Sequence, residues 1–304
     1  MDLPSPHGDK LKALLNNDKL PSSDHARVRE TVAKYNTWLS SMAKVEAEGT
    51  GAIDELVALV NDYKLQVDIN LIFDSPNDFL YRQKGQLKLD NTVIEEFLPW
   101  VFVKAIPGVW KDRGLRLGPT NCFSHLRFDS TIRATSRGGG MATRTKDQDF
   151  AISRELFFKA SHDSEFREAV ESQTHIAYVA AEIKTNLDKT MFQEAAATAY
   201  DLKLAVPNSR YYLLCEWLDM TPISTSVTAI EKVIVLRKAK RLASNVRREF
   251  STVKGRGEAR SDYVKYLRRH PYSSDAFGLL VREVEDMIGD GTEEDEVVLG
   301  RGWF

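Results

Sequence analysis

The sequence predicts an α/β (α+β) chain, a helical N-terminal region followed by a sheet core with helices against it, and three observations predict it. Apolar residues recur at three and four through residues 8–70 and again through 91–103, the spacing that turns one stripe of a helix toward a core. From Pro107 the texture changes to short apolar runs punctuated by Gly108, Gly114, Gly118, Pro119 and Gly138-Gly139-Gly140, which suits strands and loops. Two strand candidates, one long helix and two more strand candidates then follow, a strand-strand-helix-strand-strand order. At 304 residues, 42% hydrophobic and 28% charged, the chain can bury a sizeable core in one large domain or two modest ones, and bulk disorder is excluded.

Taken in order, Leu11, Leu14 and Leu15 mark a first helix. Val28, Val32, Tyr35 and Leu39 mark a second, and Ile53, Leu56, Val57 and Val60 a third. Ser22-Ser23-Asp24 offers an N-cap to the second helix, and Gly49-Thr50-Gly51 separates it from the third. Val93, Ile94, Phe97, Leu98 and Val101 predict another helix over 91–103. Residues 123–128 are a short strand-like run. The stronger strand candidates are 149–158 and 175–184, followed by a helix over about 187–204 that stops before Pro207, then strands over 210–218 and 233–237.

The formal net charge is 42 − 44 = −2, which at first argues against a nucleic-acid partner, but the distribution reverses that reading. Residues 104–148 carry nine Lys/Arg against three Asp, residues 232–269 thirteen against three acids, and 282–304 eight acids against two arginines. Two basic regions are therefore balanced by an acidic tail. Two distant cysteines, Cys122 and Cys215, exclude a disulfide scaffold and a cysteine zinc site, and the six scattered histidines show no zinc spacing. No run approaches the roughly 18 apolar residues of a membrane span, and the start lacks an export signal. The absence of a Gly-x-x-x-x-Gly-Lys-[Ser/Thr] motif excludes an ATP-driven translocase, so no nucleotide cofactor is expected. A cytoplasmic, bacterial protein without a membrane partner is the expectation.

The constellation that carries chemistry is Asp149 followed, 182 − 149 = 33 residues later, by Glu182-Ile183-Lys184. In a strand, residues i and i+2 point to one face, so Glu182 and Lys184 project together while Ile183 faces the core. Both close an otherwise apolar run from Ile176 to Ala181, where charge is costly without a partner. Two carboxylates and the Ile183 carbonyl make a hard oxygen site suited to Mg2+. Lys184 is placed to orient or help deprotonate a water and to offset charge on a phosphorane, which is the equipment for phosphodiester hydrolysis. Asp147 shares a strand face with Asp149; the latter runs directly into Phe150-Ala151-Ile152, which favours it as the ligand and leaves Asp147 as the alternative or a supporting residue. Gln193 and Glu194, on the helix that follows, are candidates for supporting the site or facing DNA. Arg133, Arg137, Arg144 and Lys146 flank the glycine triplet just before Asp149 and suit a flexible loop that orders on a duplex. Arg237, Lys238, Lys240 and Arg241 begin a second cluster that reads as helical, with Arg241 and Arg248 on one face.

The segments 144–150, 181–194 and 211–217, with a weaker likeness over 233–237, resemble the PD-(D/E)xK nuclease superfamily and more closely the BbvCI-like type II restriction endonucleases. The resemblance covers about residues 140–240. It implies a nuclease core with a mixed central sheet flanked by helices, Asp149 and Glu182 as metal ligands, and Lys184 as the catalytic lysine. No proline precedes the aspartate, a common departure. The expected organisation is a helical region over 1–105, a nuclease core over 106–240, and a basic helical segment with the acidic tail over 241–304. The expected function is Mg2+-dependent, sequence-specific cleavage of double-stranded DNA giving 5′-phosphate ends, with a second nuclease subunit, identical or related, to cut the second strand. A monomeric nicking or repair nuclease and a catalytically silent DNA-binding subunit are the alternatives.

Overall fold

Apolar side chains at helical spacing fold the first hundred residues into five helices. They are α1 (Pro6–Leu15), α2 (His25–Ala43), α3 (Gly49–Leu65), α4 (Phe79–Gln83) and α5 (Asn91–Ala105), seen in a computed structural model that describes residues 3–110, 114–289 and 299–302. The predicted helices are present with two local differences. Asp24 stands just before α2 but does not cap it; its buried carboxylate accepts from Ser75 Oγ at 3.0 Å and Asn77 Nδ2 at 2.7 Å, which ties the start of α2 to the loop that leads into α4. Gly49-Thr50-Gly51 is the first turn of α3 and not a separator. Beyond Leu65 the chain continues as a π-helical stretch, Gln66–Phe73. α5 is buried almost all round, from Thr92 to Pro99 without a break, so it runs through the middle of the molecule.

The described residues form one five-stranded sheet in chain order: β1 (Leu115–Phe128), β2 (Met141–Ala160), β3 (Val170–Leu187), β4 (Arg210–Leu218) and β5 (Lys232–Lys240). β1, β2 and β3 pair antiparallel, β3, β4 and β5 parallel, and the crossover from β3 to β4 is α6 (Lys189–Ala205). The sheet is therefore mixed. α6 starts two residues later than its periodicity predicts, because Leu187 closes β3 and Asp188 caps the helix by accepting the Met191 N–H at 2.9 Å. After β5 come α7 (Ser244–Glu249), α8 (Val253–Arg269) and α9 (Ser274–Gly289). The acid-rich stretch at 290–298 lies outside the described residues.

Strand alternation splits the core into two layers. Phe150, Ile152, Val179, Ala181, Ile183, Tyr212 and Leu214 face the N-terminal helices and α9 in one continuous cluster. There Phe102 of α5 stacks on Phe150 at 5.3 Å, and Phe97 meets Phe277 of α9 edge-on at 5.1 Å. Ala151, Ala180, Leu213 and Cys215 face α6 through Phe192, Ala195, Ala199 and Leu202. The glycine triplet before β2 forms a close-packed turn. All three residues have left-handed φ, and a Cβ on Gly138 would stand 2.8 Å from the Ala160 carbonyl oxygen and 2.9 Å from Val170 Cβ. The antiparallel end of the sheet curls until this turn packs against the far end of the β2–β3 hairpin.

Candidate active site

Where β2 and β3 part company, three polar side chains meet. Their last ladder pair on this side is Phe150↔Ala181, so Asp149 and Glu182 lie immediately beyond it. Asp149 Oδ2 accepts the Ile183 N–H at 2.9 Å, doing for β3 what a ladder carbonyl would have done. Glu182 and Lys184 share a face, and Lys184 Nζ lies 2.6 Å from Glu182 Oε1. Tyr211, next to this pair on β4, donates its hydroxyl to the other Glu182 oxygen at 2.9 Å. Both oxygens of Glu182 are thus engaged.

Two further residues, neither expected from the sequence, complete the surroundings. Glu95 of α5 is 5% exposed. Burial, reinforced by the negative charge of Asp149, raises its carboxyl pKa to about 7. Asn91, at the start of the same helix, approaches the Ile183 carbonyl oxygen with its amide nitrogen at 3.5 Å and accepts a hydrogen bond from the Thr185 hydroxyl. The neighbouring Glu96 points elsewhere, accepting the His7 and Gly8 N–H groups at the start of α1 and the Tyr35 hydroxyl. The signal for Glu95 was present: a carboxylate inside an apolar run, the same anomaly that singled out Glu182.

The electrostatics are those of carboxylates short of positive charge. Burial raises the Asp149 carboxyl above its ordinary range, and the Ile183 N–H, Lys88 and Lys184 offset that only in part. Burial also opposes the charge on Lys184, but the hydrogen bond and charge of Glu182, with Asp149 behind it, outweigh burial and hold the ammonium above its usual value. Among the described residues no three His, Cys, Asp or Glu side chains form a ready-made metal cage. The donors are two carboxylates with Glu95 nearby and the Ile183 carbonyl, an all-oxygen set that fits a hard cation completed by water. A cation there would offset, by its opposite charge, the cost that burial places on the Asp149 and Glu95 carboxylates.

The other predicted residues fall in different places. Asp147 is exposed and accepts from Asn121 Nδ2 at 2.9 Å, away from Ile183. Gln193 and Glu194 are exposed on α6, and of the two only Glu194 bears on the cluster, through its charge on Lys184. Arg133, Arg137 and Arg144 are exposed, Arg137 donating to the Glu168 carbonyl, while Lys146 is paired with Asp201 of α6 at 2.6 Å. The second basic cluster is not one helix face. Arg237, Lys238 and Lys240 lie on β5, Arg241 in the connection after it, and Arg248 on α7.

Arg237 is buried. Its guanidinium bonds Glu216 at 3.1 Å and the His270 carbonyl at 2.8 Å, lies 3.5 Å from Asp68, and stacks 4.1 Å from the Tyr272 ring centre. With Lys64, which pairs with both acids, it forms an internal ion quartet between α3, the π-helical stretch and the sheet. The expectation that Arg237 contacts DNA is therefore withdrawn. Lys238 and Arg241 are at the surface, paired with Asp275 and Asp219.

Comparison with known proteins bears on the fold and the family. A solved structure, titled "native BbvCI A2B2 tetramer at low resolution", contains a chain that superposes with a TM-score of 0.52 over 87% of this chain and 97% of its own length, at 17% sequence identity, which shows a shared fold. No curated protein matches the chain. Among the described residues no helix is long and apolar enough to cross a membrane. A family model described as Bpu10I restriction endonuclease matches residues 86–304, a span that takes in the whole sheet, α5 with Glu95, and the Asp149–Glu182–Lys184 cluster. The chain belongs to the Bpu10I restriction endonuclease family.

Proposed function

We propose that this protein is a type II restriction endonuclease, or one subunit of it, that hydrolyses phosphodiester bonds of double-stranded DNA at a specific sequence with Mg2+. The observation that carries the reading is the meeting of Asp149, Glu182 and Lys184 at the divergence of β2 and β3, with Asp149 fixed on the Ile183 N–H. Asp149, Glu182 and the Ile183 carbonyl are the residues that would hold the ion, with Glu95 adding negative charge behind them. Bound there, magnesium supplies Lewis acidity at a phosphate oxygen and lowers the pKa of water.

The chain's own residues do the rest. Lys184, kept charged by Glu182, is a donor and not a base. It orients the attacking water and donates to the phosphoryl oxygens as charge gathers on them. The water oxygen bonds to phosphorus as the P–O3′ bond breaks, the water giving its proton to solvent and the departing O3′ oxyanion taking one from solvent, which leaves a 5′-phosphate and a 3′-hydroxyl. Tyr211 fixes the carboxylate that in turn fixes Lys184.

One centre cuts one strand, so cleavage of a duplex calls for two. The multi-subunit assembly named for the BbvCI structure supports a second nuclease subunit, identical or related. Arg133, Arg137, Arg144, Lys146, Lys238, Lys240 and Arg241 are the cations proposed to meet DNA. The test is alanine substitution at Asp147 and Asp149 with magnesium-dependent plasmid cleavage and sequencing of the ends. Loss at Asp149 with near-normal cutting at Asp147→Ala supports the assignment, and the reverse overturns it. Open circles alone would favour a monomeric nicking enzyme, and binding without cutting a silent subunit.

A further inference from the structure

Lys184 has a second environment. Besides facing Glu182, it forms part of the wall of a cleft of about 460 Å3 at the carboxyl ends of β3 and β4, closed on one side by α4 and the start of α5 and on the other by the β5–α7 connection and α8. The proposed chemistry uses none of this space. The ionisable side chains that line it are six cations and three acids, and burial sorts them. The acids form the floor: Asp68, Asp90 and Glu216 have side chains 10%, 5% and 2% exposed, already paired with Lys64, Lys84 and Arg237. Lys64 lies with them at 2%, while the arginines stand at the rim: Arg82 at 61%, paired with Asp78, and Arg241 and Arg247 each at 30%, sharing the single carboxylate of Asp219. Two arginines to one carboxylate leave that side of the cleft mouth positive.

The apolar part of the wall is aromatic and held in place. Trp217 stacks on Tyr266 at 5.0 Å with Arg237 beneath it at 4.9 Å. A positive rim over an aromatic wall, opening on the group that meets the scissile phosphate, has the chemistry of a track for a sugar-phosphate strand. The size belongs to a small-ligand site, enough for a nucleotide unit and too small for the width of a duplex.

We infer that this cleft binds the sugar-phosphate backbone of the cut strand on one side of the scissile phosphate, with Arg82 and Arg247 on opposite rims contacting the neighbouring phosphates. The inference rests on the nuclease reading of the Lys184 centre and gives the N-terminal helical region a direct part in holding DNA, through α4.

The experiment uses the full protein and a duplex carrying the site mapped by end sequencing, in which a neutral methylphosphonate replaces successive phosphates of the cut strand one at a time. For the wild type, one or two adjacent replacements on one side of the cut should slow cleavage roughly tenfold, the scale of a lost charge-assisted hydrogen bond. Arg82→Ala and Arg247→Ala should each cut the unmodified duplex about tenfold more slowly. In each variant the replacement facing the missing arginine should then cost no more than about twofold.

The Arg82 side chain is 61% exposed and among the described residues its ion pair is with Asp78, so its removal spares the fold. Arg247 also donates to the Leu242 carbonyl, so Arg247→Lys, which keeps the charge, should recover most of the rate. Lys254→Ala, an exposed charge on α8 outside the cleft, should behave as the wild type throughout. Either arginine variant cutting the unmodified duplex at the wild-type rate, or keeping the wild-type sensitivity to the replacements, overturns the inference while leaving the nuclease reading intact. A wild type that fails to cut the unmodified duplex both alone and together with a related second subunit overturns both.

Discussion

Glu95 offers a quantitative handle on the site that does not depend on knowing the DNA sequence it cuts. Its carboxyl is held near 7 in the folded protein against an ordinary value of 4.5. A group whose pKa is raised by folding favours the folded state at low pH and loses that contribution as pH rises through the folded value. The gap of about 2.5 units, at about 1.4 kcal/mol per unit, corresponds to about 3 kcal/mol of stability lost between pH 4.5 and pH 8 in metal-free protein.

Glu95→Gln keeps the shape and stays neutral. In EDTA the variant should therefore be more stable than the wild type by up to about 3 kcal/mol at pH 8, and the advantage should shrink to under about 1 kcal/mol near pH 5. Urea unfolding followed by tryptophan fluorescence, at a series of pH values, measures this directly. Millimolar magnesium should narrow the difference at pH 8, because a cation beside Asp149 cancels the negative charge that adds to burial and itself favours the Glu95 carboxylate. A variant less stable than the wild type at pH 8 without metal, or a difference that does not change with pH, would refute the reasoning.

Two more predictions follow from packing. Arg237→Ala leaves Glu216 and Asp68 with Lys64 alone and should cost about 3–5 kcal/mol in urea unfolding. At temperatures where the variant remains folded, the salt dependence of its DNA binding should keep the wild-type slope, and a flattened slope would return Arg237 to the DNA-contacting set. Gly138→Ala places a Cβ against Ala160 and Val170 in a left-handed turn and should cost about 1–3 kcal/mol, visible as a lower melting temperature; an unchanged one would show the turn to be as pliant as its glycines suggest.

Much of the fold was legible because the residues that form it obey one periodicity at a time. β4 has the predicted bounds, its run of apolar residues being buried on both faces of a parallel pair. β3 announced itself through the charges that end it. β1 was legible only over residues 123–128, since Gly118 and Pro119 and two register shifts against β2 interrupt its alternation. Arg237 was misread for a related reason. In a basic run, sequence alone suggests solvent, yet on β5 Arg237 points inward and Lys238 outward. The partner that makes burial tolerable, Glu216, lies 21 residues away on the next strand.

Glu95 was hidden by the assumption that a helix has a wet side, which α5 lacks. Asp149 could be preferred over Asp147 from sequence only by its apolar continuation. What separates them in the folded chain is register, which sends one to Ile183 and the other to Asn121. The cleft beside Lys184 had no sequence signature at all, since its rim is drawn from segments 247 − 82 = 165 residues apart, between Arg82 and Arg247.

The central claim is that phosphodiester hydrolysis takes place at the Asp149–Glu182–Lys184 centre. The most direct measurement is the fate of supercoiled plasmid incubated with magnesium and either the wild-type protein or Lys184→Ala, with the products run on a gel and their ends sequenced. The wild type should cut at discrete positions leaving 5′-phosphate ends, and the variant should still bind DNA but cut roughly a hundred- to a thousandfold more slowly, the scale of a lost electrostatic stabiliser. Cutting by Lys184→Ala at the wild-type rate and positions would contradict the claim.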